Sequence, residues 1–127
     1  MKITHYLGSL NFGGIERLVL DLIQEQLSSD KMEPLLMVGK LKGAFTEKFE
    51  SLQIRQTELQ LNSGFDWSPR KWKLAKQHFK SSDIIHLHEF NLLVASAAIS
   101  AKKRIIYTEH GNFGFGRKKK WTDSINF

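Results

Sequence analysis

Apolar and polar positions along this chain change period repeatedly, from the short apolar run of a strand to the three-and-four spacing of a helix face. Ile3–Leu7 reads as a first strand. From Ile15 to Ser28 the residues Ile15, Leu18, Val19, Leu22, Ile23 and Leu27 fall on one side of a helix. Pro34–Val38 predicts a second strand closed by Gly39, and Phe45–Leu52 a short helix that buries Phe45, Phe49 and Leu52. A third strand, Ile54–Leu59, leads into the loop Asn62–Pro69, where Ser68-Pro69 marks a helix start. The helix Arg70–Phe79 then turns Trp72, Ala75 and Phe79 inward and its lysines outward. Asp83–His88 gives a fourth strand, Leu92–Ala101 a small-residue helix suited to close packing, and Arg104–Thr108 a fifth strand. An alternating Phe113-Gly-Phe-Gly and a basic run follow, and they read as the opening of another segment. Neither an internal repeat nor a linker between domains interrupts the series.

Strand and helix alternation of this kind predicts an α/β fold. Its form is a Rossmann-like, doubly wound parallel sheet with both faces covered and right-handed crossovers. Ligands in such sheets bind beyond the carboxyl ends of the strands, where the strand order reverses. That rim gathers Gly8–Gly14 after the first strand, His88 after the fourth and His110 after the fifth.

Composition sets outer bounds. A chain of 127 residues holds one domain, and 41% hydrophobic residues suffice for a core. Cysteine is absent, which removes disulfides and thiolate metal sites and fits a reducing compartment. The amino terminus, with Lys2, Thr4 and His5 around a single Ile3, is too short and too polar for a signal peptide. The longest apolar run, Leu92–Ala101, reaches only about half a membrane span. A soluble, cytoplasmic protein is expected, with peripheral contact at the inner membrane face as an added option.

The formal charge of +6 is concentrated at Lys40 and Lys42, in Arg70–Lys80, at Lys102-Lys103-Arg104 and at Arg117–Lys120. Three readings compete: a solvated face, attraction to an anionic membrane or ligand, and nucleic acid. Zinc-finger spacing, RNP-type aromatics and a basic zipper pattern are all missing, so nucleic acid ranks last. The aromatic, basic helix Arg70–Lys80 admits a peripheral membrane contact beside the plainer solvated face.

The candidate chemistry begins at Asn11-Phe-Gly-Gly-Ile-Glu-Arg. Gly13 and Gly14 at a helix start free backbone N–H groups at the positive end of a helix dipole, an arrangement that favours an anion such as phosphate. The dinucleotide fingerprint Gly-x-Gly-x-x-Gly is absent. Gly8 and Gly13 have P-loop spacing, but Gly14 stands where the lysine belongs. A plain tight turn is the competing account, with Glu16 no more than a dipole partner.

Among the histidines, His86 and His88 lie two apart on a strand and share a face. With His110 they form one conceivable three-histidine zinc set, but a site without metal is preferred. His88 reads first as packing at the strand end, whereas His110, just before Gly111, is the better ligand-contacting group. His5 and His78 read as structural. No serine sits in a nucleophile elbow.

Three stretches together point to a family. Asn11-Phe-Gly-Gly-Ile-Glu-Arg-Leu-Val-Leu-Asp-Leu, Asp83-Ile-Ile-His-Leu-His-Glu and Ile105-Ile-Tyr-Thr-Glu-His-Gly occur in that order, each at the end of a strand. The chain so resembles the N-terminal domain of family-four glycosyltransferases, retaining sugar-nucleotide-dependent enzymes of GT-B architecture. The resemblance implies two Rossmann-like domains across a cleft, with the acceptor held mainly by the N-terminal one. It makes Gly13, Gly14 and Glu16 a substrate- or phosphate-binding loop and His110 a contact to the transferred sugar; His88 and Gly111, at the same rim, are further substrate- or phosphate-binding candidates. It calls for no cofactor: a nucleotide sugar is the donor substrate, and a cell-surface polysaccharide or lipid-linked sugar the acceptor.

Relatives carry two glutamates with seven residues between them in their second domain. Here Glu25 with Glu33 and Glu50 with Glu58 have that spacing in the wrong context. The expectation is an incomplete, acceptor-side half of such an enzyme over residues 1–127, with the donor-binding domain absent. Such a half is expected to be inactive alone and prone to self-association through uncovered apolar surface. A non-catalytic module that binds an anion or nucleotide sugar is the alternative.

Overall fold

The computed structural model describes residues 1–10 and 13–108, together with the backbone of 122–125. Its order is β1 (Lys2–Leu7), α1 (Gly14–Leu27), β2 (Glu33–Val38), α2 (Thr46–Glu50), β3 (Gln56–Glu58), α3 (Pro69–Lys80), β4 (Ile84–Leu87), α4 (Leu92–Ala101), β5 (Arg104–Thr108) and β6 (Thr122–Ile125). The sheet runs β3-β2-β1-β4-β5-β6. Its first five strands are parallel, a Rossmann-like α/β arrangement consistent with the N-terminal half of a GT-B fold.

The sixth strand departs from expectation. β6 pairs antiparallel with β5, Ile105 opposite Ile125 and Thr108 opposite Thr122. The segment after the basic run therefore returns to this sheet. Thr122-Asp-Ser-Ile alternates polar and apolar too weakly to announce a strand.

Each helix lies where its apolar face dictates. Val19, Leu20 and Ile23 of α1 and Phe49 of α2 bury against Leu7, Leu36 and Val38 on one face of the sheet. Ala75 and Phe79 of α3 and Leu93, Val94, Ala97, Ala98 and Ala101 of α4 bury against Tyr6, Met37, Ile85, Leu87 and Ile105 on the other. With helices on both sides, β1 buries Ile3 through Leu7 without a break, as a central parallel strand does.

Local chemistry sets the ends. Pro69 opens α3, its fixed φ and missing N–H matching the first helical position. At α4, Asn91 Oδ1 accepts from the Val94 N–H at 3.0 Å, and Lys102 ends the helix in the left-handed region at φ 59°. Trp72 Nε1 donates to Ser96 Oγ at 3.0 Å, so α3 and α4 are fastened by a hydrogen bond as well as by packing.

Candidate functional site

Three strands end at one rim, because the parallel register sets Leu7 beside Val38 and Tyr6 beside Leu87. Between β1 and β4 the strand order turns: β2 and β3 lie to one side of β1, β4 and β5 to the other. The crevice beyond their carboxyl ends is the position at which an open α/β sheet accommodates a ligand.

Backbone forms its floor. The Gly39 N–H donates to the Leu7 carbonyl and the Lys40 N–H to the Gly8 carbonyl, both at 2.9 Å. A Cβ added to Gly39 would stand 2.9 Å from the Gly8 oxygen, so close an approach of two main chains that glycine is required there. Beside this floor opens a cleft of about 240 Å³, lined by Lys40, Lys42, Asn62 and Asn91 among others. Two lysines and two amides give it a cationic, hydrogen-bonding wall suited to an oxyanion.

Glu89 supplies a second kind of group. Its Oε1 accepts from the Gly8 N–H at 3.1 Å. Burial raises its pKa above the ordinary carboxylate value; the Gly8 hydrogen bond opposes this, and the Glu16 charge adds to it. Glu16, in the first turn of α1, carries its own carboxylate back over Gly13, with Oε1 only 2.8 Å from where a Gly13 Cβ would be. Carboxylates accept hydrogen bonds from hydroxyl groups, and the neighbouring lysines attract anions. The rim thus offers both halves of what a sugar phosphate presents.

The positions singled out from sequence divide into three. Gly13 is the extended N-cap of α1 at φ −171°, and Gly14 is its first residue, with no described atom within 4 Å of an added Cβ. These two and Glu16 stand together at the helix start. His88 lies beneath the crevice rather than along it: it is 3% exposed, and its Nε2 is 2.9 Å from His5 Nδ1. His110 and Gly111 fall outside the described residues.

Of the conceivable set of His86, His88 and His110, the last lies outside the described residues. Among the described residues His5 stands third with His86 and His88, their rings 3.8 to 5.3 Å apart by centroid. Sequence reading missed Glu89, Asn62 and Asn91 as parts of the rim. The available signal was positional, since each follows the end of β3 or β4 closely.

The family model for Glycosyltransferase Family 4 matches residues 12–126 of the 127. The chain belongs to Glycosyltransferase Family 4. No curated protein and no solved structure matches it. Membership in the family implies a nucleotide-sugar donor and an acceptor, and the lysine-lined cleft of this Family 4 domain lies along the carboxyl rim of the sheet, from the ends of β2 and β3 past Gly8 to Asn91. Among the described residues no helix is long and apolar enough to cross a membrane.

Proposed function

We propose that this Family 4 domain is the acceptor-side half of a retaining GT-B glycosyltransferase whose acceptor is a lipid-linked or cell-surface sugar. The observation that carries this reading is the carboxyl rim of the sheet, where a cleft lined by Lys40 and Lys42 opens beside Gly8 while Glu89, near the Glu16 charge, accepts from the Gly8 N–H. The lysines hold phosphate, whether of the donor or of a lipid-linked acceptor, and the carboxylates orient sugar hydroxyls. His110, with Gly111 beside it, contacts the transferred sugar, and Gly13 and Gly14 let phosphate approach the backbone.

Support for a lipid-borne acceptor comes from the same rim. Phe65 and Trp67, after β3, and Phe90, after β4, are 96%, 55% and 67% exposed. The helix following the first of these loops displays Arg70 and Lys73 in its opening turns. Exposed aromatics beside basic side chains match an interface between water and anionic lipid.

This crevice has one wall in the described residues, and stabilising a departing nucleoside diphosphate calls for preorganised charge on both sides of a water-free cleft. Turnover by the chain alone is therefore expected to be absent. A panel of nucleotide sugars incubated with sugar acceptors tests this, and clear sugar transfer would overturn it. Titration of wild type and His110→Ala with the same ligands tests the site: weaker binding by the variant is expected, and equal binding removes His110 from it.

A further inference from the structure

Beneath the crevice, on the α1 side of the sheet, three imidazoles converge. His86 and His88 lie two apart in sequence, and His5 is the register partner of His86 across the β1–β4 ladder. Their rings pack with centroids 3.8 Å apart for His86–His88, 5.2 Å for His5–His88 and 5.3 Å for His5–His86. One nitrogen from each ring lies within 4.8 Å of the other two.

An ion with metal–nitrogen bonds of ~2.0–2.1 Å in tetrahedral geometry sets its ligand nitrogens about 3.4 Å apart. His5 Nδ1 and His88 Nε2, now 2.9 Å apart, need to open by only about half an ångström. The third nitrogen, within 4.8 Å of the others, needs to approach by at most about 1.4 Å, a movement that χ rotation of the half-buried His86 supplies.

Groups around the cluster orient it. Gln26 Oε1 accepts from His5 Nε2 at 2.8 Å, which turns the Nδ1 lone pair toward His88. Thr108 Oγ1 stands 2.7 Å from His86 Nε2 on the far side of the cluster. Polar partners behind the ring are what fix a ligating imidazole in place. His5 and His88 are buried while His86 is half-buried, so the cluster has an entry side. Among the described residues the set is all nitrogen, with no carboxylate within it, which suits zinc, cobalt, nickel or copper and not magnesium or calcium.

We propose that His5, His86 and His88 form a binding site for a divalent transition ion of the zinc class, three imidazole nitrogens holding it and a fourth ligand completing its shell. Such an ion joins β1 to β4 directly below the rim that carries Gly8 and Glu89. It is a tie between strands, separate from the lysine-lined cleft and its anion.

The test is titration of the full chain, stripped with a chelator, with Co²⁺ alone and then with Zn²⁺. One equivalent of Co²⁺ is expected to give the visible absorption of a four-coordinate, nitrogen-ligated ion, and Zn²⁺ to bleach it. The His86→Gln variant is expected to bind Co²⁺ at least tenfold more weakly, and His78→Gln like wild type. Zn²⁺ is expected to raise the thermal midpoint of wild type but not of His86→Gln. Absence of the visible bands, or full binding by His86→Gln, overturns the site. His5→Gln is a second probe; because His86 is half-exposed, the His86 variant decides the matter even if His5→Gln does not fold.

Discussion

Lowering the pH in metal-free buffer should unfold this protein through one residue more than any other. His5 is completely buried in β1, and burial pulls its pKa from 6.5 to about 4, although the Gln26 hydrogen bond pulls the other way. The folded chain therefore holds His5 neutral where the unfolded chain protonates it. Stability is complete above pH 6.5 and is lost as the pH falls from 6.5 toward 4, because the unfolded state binds the extra proton in that window. A displacement of that size corresponds to about 3 kcal/mol at ~1.4 kcal/mol per pH unit. That is a large share of the ~5–15 kcal/mol by which a domain is stable.

Other groups titrate nearby. His78, lowered by burial and then by Arg55, acts in the same direction. Glu89, raised by burial, acts in the opposite one and gains stability as it is protonated. Asp66, lowered mainly by its hydrogen bond to Lys71, loses stability only further into the acid range. Comparison with His5→Gln cancels these shared contributions. Urea unfolding of both proteins with chelator at pH 7.5, 6, 5 and 4 should show wild type losing about 3 kcal/mol more than the variant. Parallel curves for the two proteins across that range would refute the reasoning.

Three further outcomes are expected. Gly39→Ala should cost about 1–3 kcal/mol in urea unfolding, since its methyl group meets the Gly8 carbonyl, and an unchanged midpoint would mean the two chains part freely. Phe79→Ala should cost about 3–5 kcal/mol, because the ring is wholly buried between α3 and the sheet; a loss below 1 kcal/mol would place it outside the core. Phe65→Ser with Trp67→Ser should leave stability within about 0.5 kcal/mol but reduce co-sedimentation with anionic vesicles, and unchanged vesicle binding would dismiss the lipid-facing role.

Where local pattern and tertiary setting agreed, the fold was legible in the sequence. Leu92–Ala101 and Arg104–Thr108 occupy the predicted spans, because an uninterrupted small-residue run and a short β-branched run each have one good use in a parallel sheet. The third strand came out shorter, Gln56–Glu58 instead of Ile54–Leu59, since an edge strand pairs on one side only. β6 was hidden because its pairing is long-range and its four residues carry little pattern.

The rim was legible in part. Gly13, Gly14 and Glu16 announced themselves by spacing at a helix start, whereas Glu89 gains meaning only when β4 brings it to Gly8. His5 illustrates the same limit. In sequence it is one polar residue in a strand, and only the ladder sets it opposite His86 and within reach of His88.

The bond from Gln26 to His5 also bears on how α1 can move. Gln26 is near the last turn of a helix whose opposite end carries Gly13, Gly14 and Glu16. Val19, Leu20 and Ile23 bury the middle, and Ile15 in the opening turn packs against the same core, so the helix is held along most of its length. From Gly14 to Gln26 is about 18 Å at 1.5 Å per residue, so α1 is a stiff rod linking the glycine turn to the buried imidazole of His5. A displacement of the glycine turn therefore has to be shared by the whole rod, Gln26 and the core side chains included.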